Sequence, residues 1–181
     1  ISARADLARW LVNKGQWAAA QEQLGILIED SRIAFGPDDA NTQSAILQLA
    51  DLLEASGQLD ESLALRDVRL KSTRARYHAS SALYIDELQQ VARALVRMGR
   101  IDAGRAATQA LLDELRTELE RTEYPLLYNN YAWVLLTCVP RDLRDPETAL
   151  HYVTISAERT DYKNSAVLDT LALACHLNGD N

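Results

Sequence analysis

No stretch of this 181-residue chain reaches the roughly 18 apolar residues in a row that a membrane-crossing helix needs, although 48% of its residues are apolar. No signal pattern opens it either. The first residue is Ile1, and the chain is expected to be a piece of a longer protein, with any targeting signal of the parent out of view. Positive charge is also short: 19 Lys and Arg stand against 26 Asp and Glu, a net charge of −7. Nucleic-acid and anionic-membrane surfaces depend on positive charge to displace counterions, so neither is expected as a partner. Lysine is scarcest, with only Lys14, Lys71 and Lys163. The arginine-rich remainder suits recognition of carboxylates and equally suits a GC-rich genome. Cys138 and Cys175, the two cysteines, lie in apolar helical patterns without ligand-like neighbours. Two buried thiols in a reducing, cytoplasmic compartment are expected.

Catalytic patterns are missing too. His78, His151 and His176 are far apart and pair with no Cys, Asp or Glu at metal-ligand spacing, so structural roles are expected of them. The glycines mostly mark turns and form no phosphate-cradling loop. The acid pairs Asp38-Asp39 and Asp60-Glu61 fit helix starts, where carboxylates complement the helix dipole. Neither an active site, nor a metal, nor a cofactor is expected. Arg66, Arg69, Lys71, Arg74 and Arg76 form one basic cluster. On a helix they spread around the surface, and a solvated face is expected.

What the chain does contain is a repeat. Gly15, Gly57 and Gly99 stand 42 residues apart, and Ala8, Ala50 and Ala92 each precede one of them by seven. Leu7, Leu49 and Val91 come before these alanines, and Leu11, Leu53 and Leu95 follow one turn later. A small residue between large apolar ones is what two closely crossing helices require. After each glycine a second helix opens on Trp17, Leu59 or Ile101, with a small residue, Ala20, Ser62 or Gly104, five places past the turn. Tyr131-Ala132, Leu135 and Ala149 repeat the pattern with five residues inserted around 140–146, where Asp145-Pro146 is a helix-start signal. Leu171-Ala172, Cys175 and Gly179 begin a fifth unit, whose last helix lacks a partner for its apolar face. Nine helices are predicted, over 2–14, 17–35, 41–56, 59–77, 80–98, 101–121, 124–138, 146–160 and 164–178. Between the second and third, Gly36 is expected to end a helix left-handed, Pro37 to stop it, and Asn41 or Thr42 to cap the next. Ser80 or Ser81 is the expected cap of the fifth.

This pattern resembles the tetratricopeptide repeat (TPR) family over nearly the whole chain. The usual unit has 34 residues; the eight extra here lengthen the second helix and its exit by about two turns. The Gly36-Pro37-Asp38 junction is similar to that of the kinesin-light-chain-like branch. Residues 129–149 resemble a repeat common in bacterial multidomain proteins, some of which carry a serine/threonine kinase ahead of the array. The resemblance implies an all-α, right-handed α-solenoid of antiparallel helix pairs: a TPR superhelix of about four and a half repeats. The single domain would span 1–181, with repeats at 1–36, 40–78, 80–121 and 124–160 and a half-repeat at 164–181.

In such arrays the first helices line the concave groove, and the residue after each small packing residue points into it. Carried over, those residues are Arg9, Asp51, Arg93, Trp133 and Leu173, with Asn13, Leu47, Gln89, Val96, Arg97, Asn129, Leu136, Asp169 and His176 one turn away. Arg93 and Arg97 are placed to hold a carboxylate or phosphate, Asn129 to bond a peptide backbone and Trp133 to anchor an apolar side chain. The alternative is that Trp133 packs against neighbours and the arginines are merely solvated. The family's clamp for the carboxylate tails of heat-shock chaperones is not reproduced. Its places hold Ala5, Arg9, Gln48, Asp86 and Gln90, and Asp86 would repel the tail.

The expected function is a non-catalytic protein-interaction scaffold whose groove holds a peptide or helix, with acidic and apolar side chains, of a partner or of the parent chain. The alternatives are an assembly module, self-associating through the uncapped last helix, and a regulatory array attached to an upstream kinase or transcription-factor domain. Replacing Ala92 by Leu should lower the unfolding free energy in chemical denaturation by about 1–3 kcal/mol through overpacking.

Overall fold

A computed structural model describes residues 2–77 and 81–179, of Ser2 the backbone alone. These residues form two compact units, 1–76 and 77–181. The first holds α1 (Ser2–Asn13), α2 (Trp17–Phe35), α3 (Ala40–Ala55) and α4 (Leu59–Arg76). The second holds α5 (Ala82–Arg97), α6 (Ile101–Leu119), α7 (Pro125–Thr137), α8 (Pro146–Arg159) and α9 (Ser165–Asn178), with a 3-10 turn at Arg141–Leu143 inside the five-residue insertion. The described residues are thus all-α, with nine α-helices at the predicted places and ends shifted by at most two residues.

The turns repeat because their hydrogen bonds do. Gly15, Gly57 and Gly99 adopt φ of 72°, 84° and 76°, a region closed to most side chains. That bend sends the next N–H back to the carbonyl of the leucine five places earlier: Gln16 to Leu11, Gln58 to Leu53 and Arg100 to Leu95, at 2.8–2.9 Å. The last-turn carbonyls are satisfied in the manner of a Schellman closure. Gly179 returns to the same conformation after α9.

Each turn folds the second helix onto the first where both carry small residues. Ala8 and Ala20, Ala50 and Ser62, and Ala132 and Ala149 are all at most 2% exposed. Ser62 Oγ lies close enough to donate to the Ala50 carbonyl at 2.7 Å. Around the first crossing Leu11, Leu24, Leu27, Ala45 and Leu52 complete the core of the first unit. Leu7 departs from its repeat equivalents: it is exposed, whereas Val91 is buried. Ala172 departs too. It is exposed while the other four alanines of the register are buried, and Leu168 and Leu177 on the same helix are 39% and 44% exposed.

Several caps and burials differ from expectation. The cap of α3 is Asp39, which accepts from the Asn41 backbone N–H at 2.8 Å, not Asn41 or Thr42. Thr42 is buried instead and donates its hydroxyl to the Gly36 carbonyl. Gly36 ends α2 at φ 95° and ψ 165°, extended with positive φ rather than left-handed helical. The Asn41 backbone and side-chain bonds hold the Asp39 carboxyl below the usual carboxylate range. Its contribution is therefore present above the ordinary Asp pKa and is lost as pH falls through the lowered value. Ser81 occupies the N-cap of α5 without a side-chain cap bond; Ser80 and His78 lie outside the described residues. Asp145 caps α8 as read, whereas Asn164, read as the first residue of the ninth helix, is its cap.

Arg66 is not solvated. It is 4% exposed, with Nη2 2.6 Å from Asp51 Oδ1 and 2.9 Å from Glu54 Oε2. It lies one turn beyond Ser62, so the face of α4 that meets α3 carries it inward. Arg69 donates to the Gln43 carbonyl, likewise across to α3. Cys138 is buried, and burial pushes its thiol above the ordinary range. Cys175 is only partly buried, because it sits on the incompletely covered α9.

Gly104 marks a crossing too close for a side chain. A Cβ built there would stand 2.7 Å from Val96 Cγ2 and 3.0 Å from the Ala92 carbonyl. The valine is stiff in a helix and the carbonyl is backbone, so neither gives way cheaply. Gly104→Ala should therefore destabilise the chain in thermal and chemical melts by about 1–3 kcal/mol, despite the ~1 kcal/mol that alanine gains as a helix former.

Candidate partner-binding faces

Each unit carries its own candidate surface. In the first, α1, α2 and α3 enclose a cavity of about 290 Å³ whose apolar wall includes Val12, Trp17, Leu24 and Leu52. Arg9 and Asp51 both line it, so the two expected groove residues of this unit are brought together. Each has an ionic neighbour as well. Arg9 lies 3.5 Å from Asp6 at an exposed pair, and Asp51 faces the buried Arg66. Asn13 is exposed but does not line the cavity. Trp17 does, although its position in the sequence marks only a helix start.

In the second unit the first helices meet: α5 contacts α7, and α7 contacts α9. Gln89 is buried at this contact rather than open to a ligand, its Nε2 lying 3.3 Å from Thr137 Oγ1. Thr137 in turn donates to the Trp133 carbonyl at 2.7 Å, so the helix-to-helix link ends beneath the tryptophan. Trp133 itself is 41% exposed, too open to be a core residue. Arg93, half-buried one turn after Gln89, makes no hydrogen bond or ion pair among the described residues. Arg97 is exposed a turn further on. On α9, Asp169 and His176 are exposed and Leu173 half-buried between them.

Near the amino ends of α5, α7 and α9 lies a larger cavity, about 480 Å³, lined by Ser81, Ala82, Tyr124, Leu126, Asn129, Asn130, Asn164 and Ala166. Of the expected groove residues only Asn129 reaches it. Of the others that line it, all but Asn130 stand at helix starts and read as punctuation; the adjacent pair Asn129-Asn130 inside a helix was the one available signal.

Among the described residues no group of three or more His, Cys, Asp or Glu could hold a metal ion, and no helix is long and apolar enough to cross a membrane. The surfaces thus offer apolar cavities, an exposed indole and a cation without an ion-pair partner. These are means of binding another molecule.

No protein-family profile and no curated protein sequence matches the chain. Solved structures do. One contains nearly identical TPR-like repeats ascribed to a kinesin light chain of Podosopora anserina, at 16% identity and TM-score 0.54, covering 99% of this chain and 87% of that one. A single-residue variant of that repeat protein gives a TM-score of 0.55 at the same identity and coverage. The fold is accordingly that of a TPR-like repeat solenoid.

Proposed function

We propose that the chain is one cytoplasmic, non-catalytic repeat array over residues 1–181 that binds a segment of another protein, or of its own parent chain, along its first helices. The observation that carries this reading is on α5 and α7: among the described residues Arg93 has no ion-pair partner, while Trp133 is 41% exposed. Arginine and tryptophan, with tyrosine, are the residues enriched among the anchors of protein interfaces. They fit a segment that presents an acidic side chain and an apolar one, and the net charge of −7 leaves such arginines as local exceptions on an acidic chain. The cavity of the first unit, with Arg9 and Asp51 on an apolar wall, supplies a second place of the same kind.

A second reading, self-association, is favoured by one feature. The exposed Ala172, Leu168 and Leu177 leave α9 with apolar surface that a helix from another copy would cover.

Peptides selected from a random displayed library on the wild-type chain should bind at least about ten-fold more weakly, a loss of about 1.4 kcal/mol, to the double variant Arg93→Glu, Trp133→Ala, with helicity by circular dichroism unchanged. Equal binding by the double variant would sink the proposed use of this face. For self-association, sedimentation velocity across a concentration series should show dimer in the wild type and monomer in Leu168→Glu; a wild type that stays monomeric throughout removes that reading.

A further inference from the structure

The alanine register that marks the repeats also shows where a first helix lacks a neighbour. Counted from the register alanine, Trp10 corresponds to Leu52, Ala94, Val134 and Ala174, and Leu7 to Val91 and Tyr131. Those equivalents are at most 7% exposed, whereas Trp10 is 52% and Leu7 43% exposed. Leu52 shows what covers this face elsewhere: it shares a core cluster with Leu24 and Leu27 of α2, the second helix of the pair before it. Ala172 has the opposite deficit. Ala8, Ala50, Ala92 and Ala132 are at most 2% exposed, and the carbonyls of Ala50 and Ala92 lie against Ser62 and Gly104 of their own second helices. Ala172 is exposed, with Leu168 beside it 39% exposed. Among the described residues no helix covers either face.

The two faces fit each other. The stripe by which α2 packs is a small residue followed four and seven places later by larger apolar ones: Ala20, Leu24 and Leu27, at most 3% exposed. On the open face of α1 the same spacing returns as Ala3, Leu7 and Trp10, and residues so spaced share one side of a helix. The uncovered stripe of α1 is thus built like that of a second helix. Laid antiparallel over α9 with Ala3 on Ala172, as small residues meet at a close crossing, α1 brings Leu7 to Leu168, four places from the crossing on each helix. Eleven places from it, Lys14 comes to Asp161. Lys14 stands over the Trp10 ring, 5.8 Å from its centroid, and Asp161 meets only Lys163, at 3.3 Å in a pair whose side chains are each 79% exposed. Such a pair is easily exchanged. Asp6, the acid on α1, is already beside Arg9 at 3.5 Å.

We propose that α9 receives α1 of a second copy of this chain in the place of a second helix of its own. The proposal rests on the self-association reading and names the surface that meets α9. Because it joins two different faces, the contact is heterologous: each copy offers α1 and accepts on α9, so two copies close reciprocally or several close in a ring.

Sedimentation velocity of the whole chain under reducing conditions, at concentrations where the wild type associates, tests this with two variants. Trp10→Glu spoils the α1 face and Leu168→Glu the α9 face. Each alone is expected to be monomeric, its association weakened at least about ten-fold. Their equimolar mixture is expected to form a one-to-one dimer, because it retains one intact face of each kind. A contact of α1 with α1 would let Leu168→Glu associate alone, and one of α9 with α9 would let Trp10→Glu do so. Either result overturns the proposal, as does a mixture that stays monomeric. Trp10→Glu associating like the wild type while Leu168→Glu does not would leave self-association through α9 standing without α1; a wild type that stays monomeric removes both. Should a variant lose helicity by circular dichroism, Leu7→Glu replaces the first and Ala172→Glu the second, with the same outcomes expected.

Discussion

The contact between Ala92 and Gly104 shows the constraint on which the rest of the structure depends. Two helices of a pair approach so closely there that no Cβ fits on one of them, and at the corresponding places of the other pairs Ala8 and Ala20, Ala50 and Ser62, and Ala132 and Ala149 are small and buried. Close approach fixes the distance and angle of each pair. It thereby fixes which side chains of the first helix are left facing away from the second. The turn glycines serve this crossing: their positive φ brings the chain back within two residues, early enough for the small residues to meet five places later.

The surfaces proposed to bind a partner are by-products of that geometry. Once one side of α5 is committed to α6, the next contact is with α7, and Gln89 and Thr137 close it with a hydrogen bond. Among the described residues Arg93 is then left without an ion-pair partner and Trp133 stays partly open, and the helix starts of α5, α7 and α9 gather around a cavity. In the first unit the same logic leaves Arg9 and Asp51 beside Trp17. There Asp51 has a structural duty as well, since it neutralises Arg66, and a buried guanidinium cannot be left without carboxylates. Where a helix lacks a covering neighbour, as at Ala172 and Leu168, apolar surface stays in water.

The helices, their turns and their crossings were legible in the sequence because each is set by residues within one or two turns of one another. Glycine at the bend, alanine at the crossing and Asp145-Pro146 at a helix start act locally, so a single chain displays them as spacing. The cap of α3 was misread by two or three residues because Asp39, Asn41 and Thr42 are all competent caps. Only the burial of Thr42 against the Gly36 carbonyl decides among them.

What the sequence by itself determined was the repeating unit and the pairing of its helices. The tertiary structure alone decided the state of the polar residues on those helices. Arg66 goes inward because Asp51 and Glu54 meet it from another helix, and Gln89 is consumed by Thr137 from 48 residues away. Asn129 is the converse case: it is buried, yet its carboxamide oxygen finds no hydrogen-bond partner among the described residues. The physical reason is common to all three. Periodicity tells which way a side chain points, but desolvation and hydrogen bonding depend on what distant segments bring to the same place.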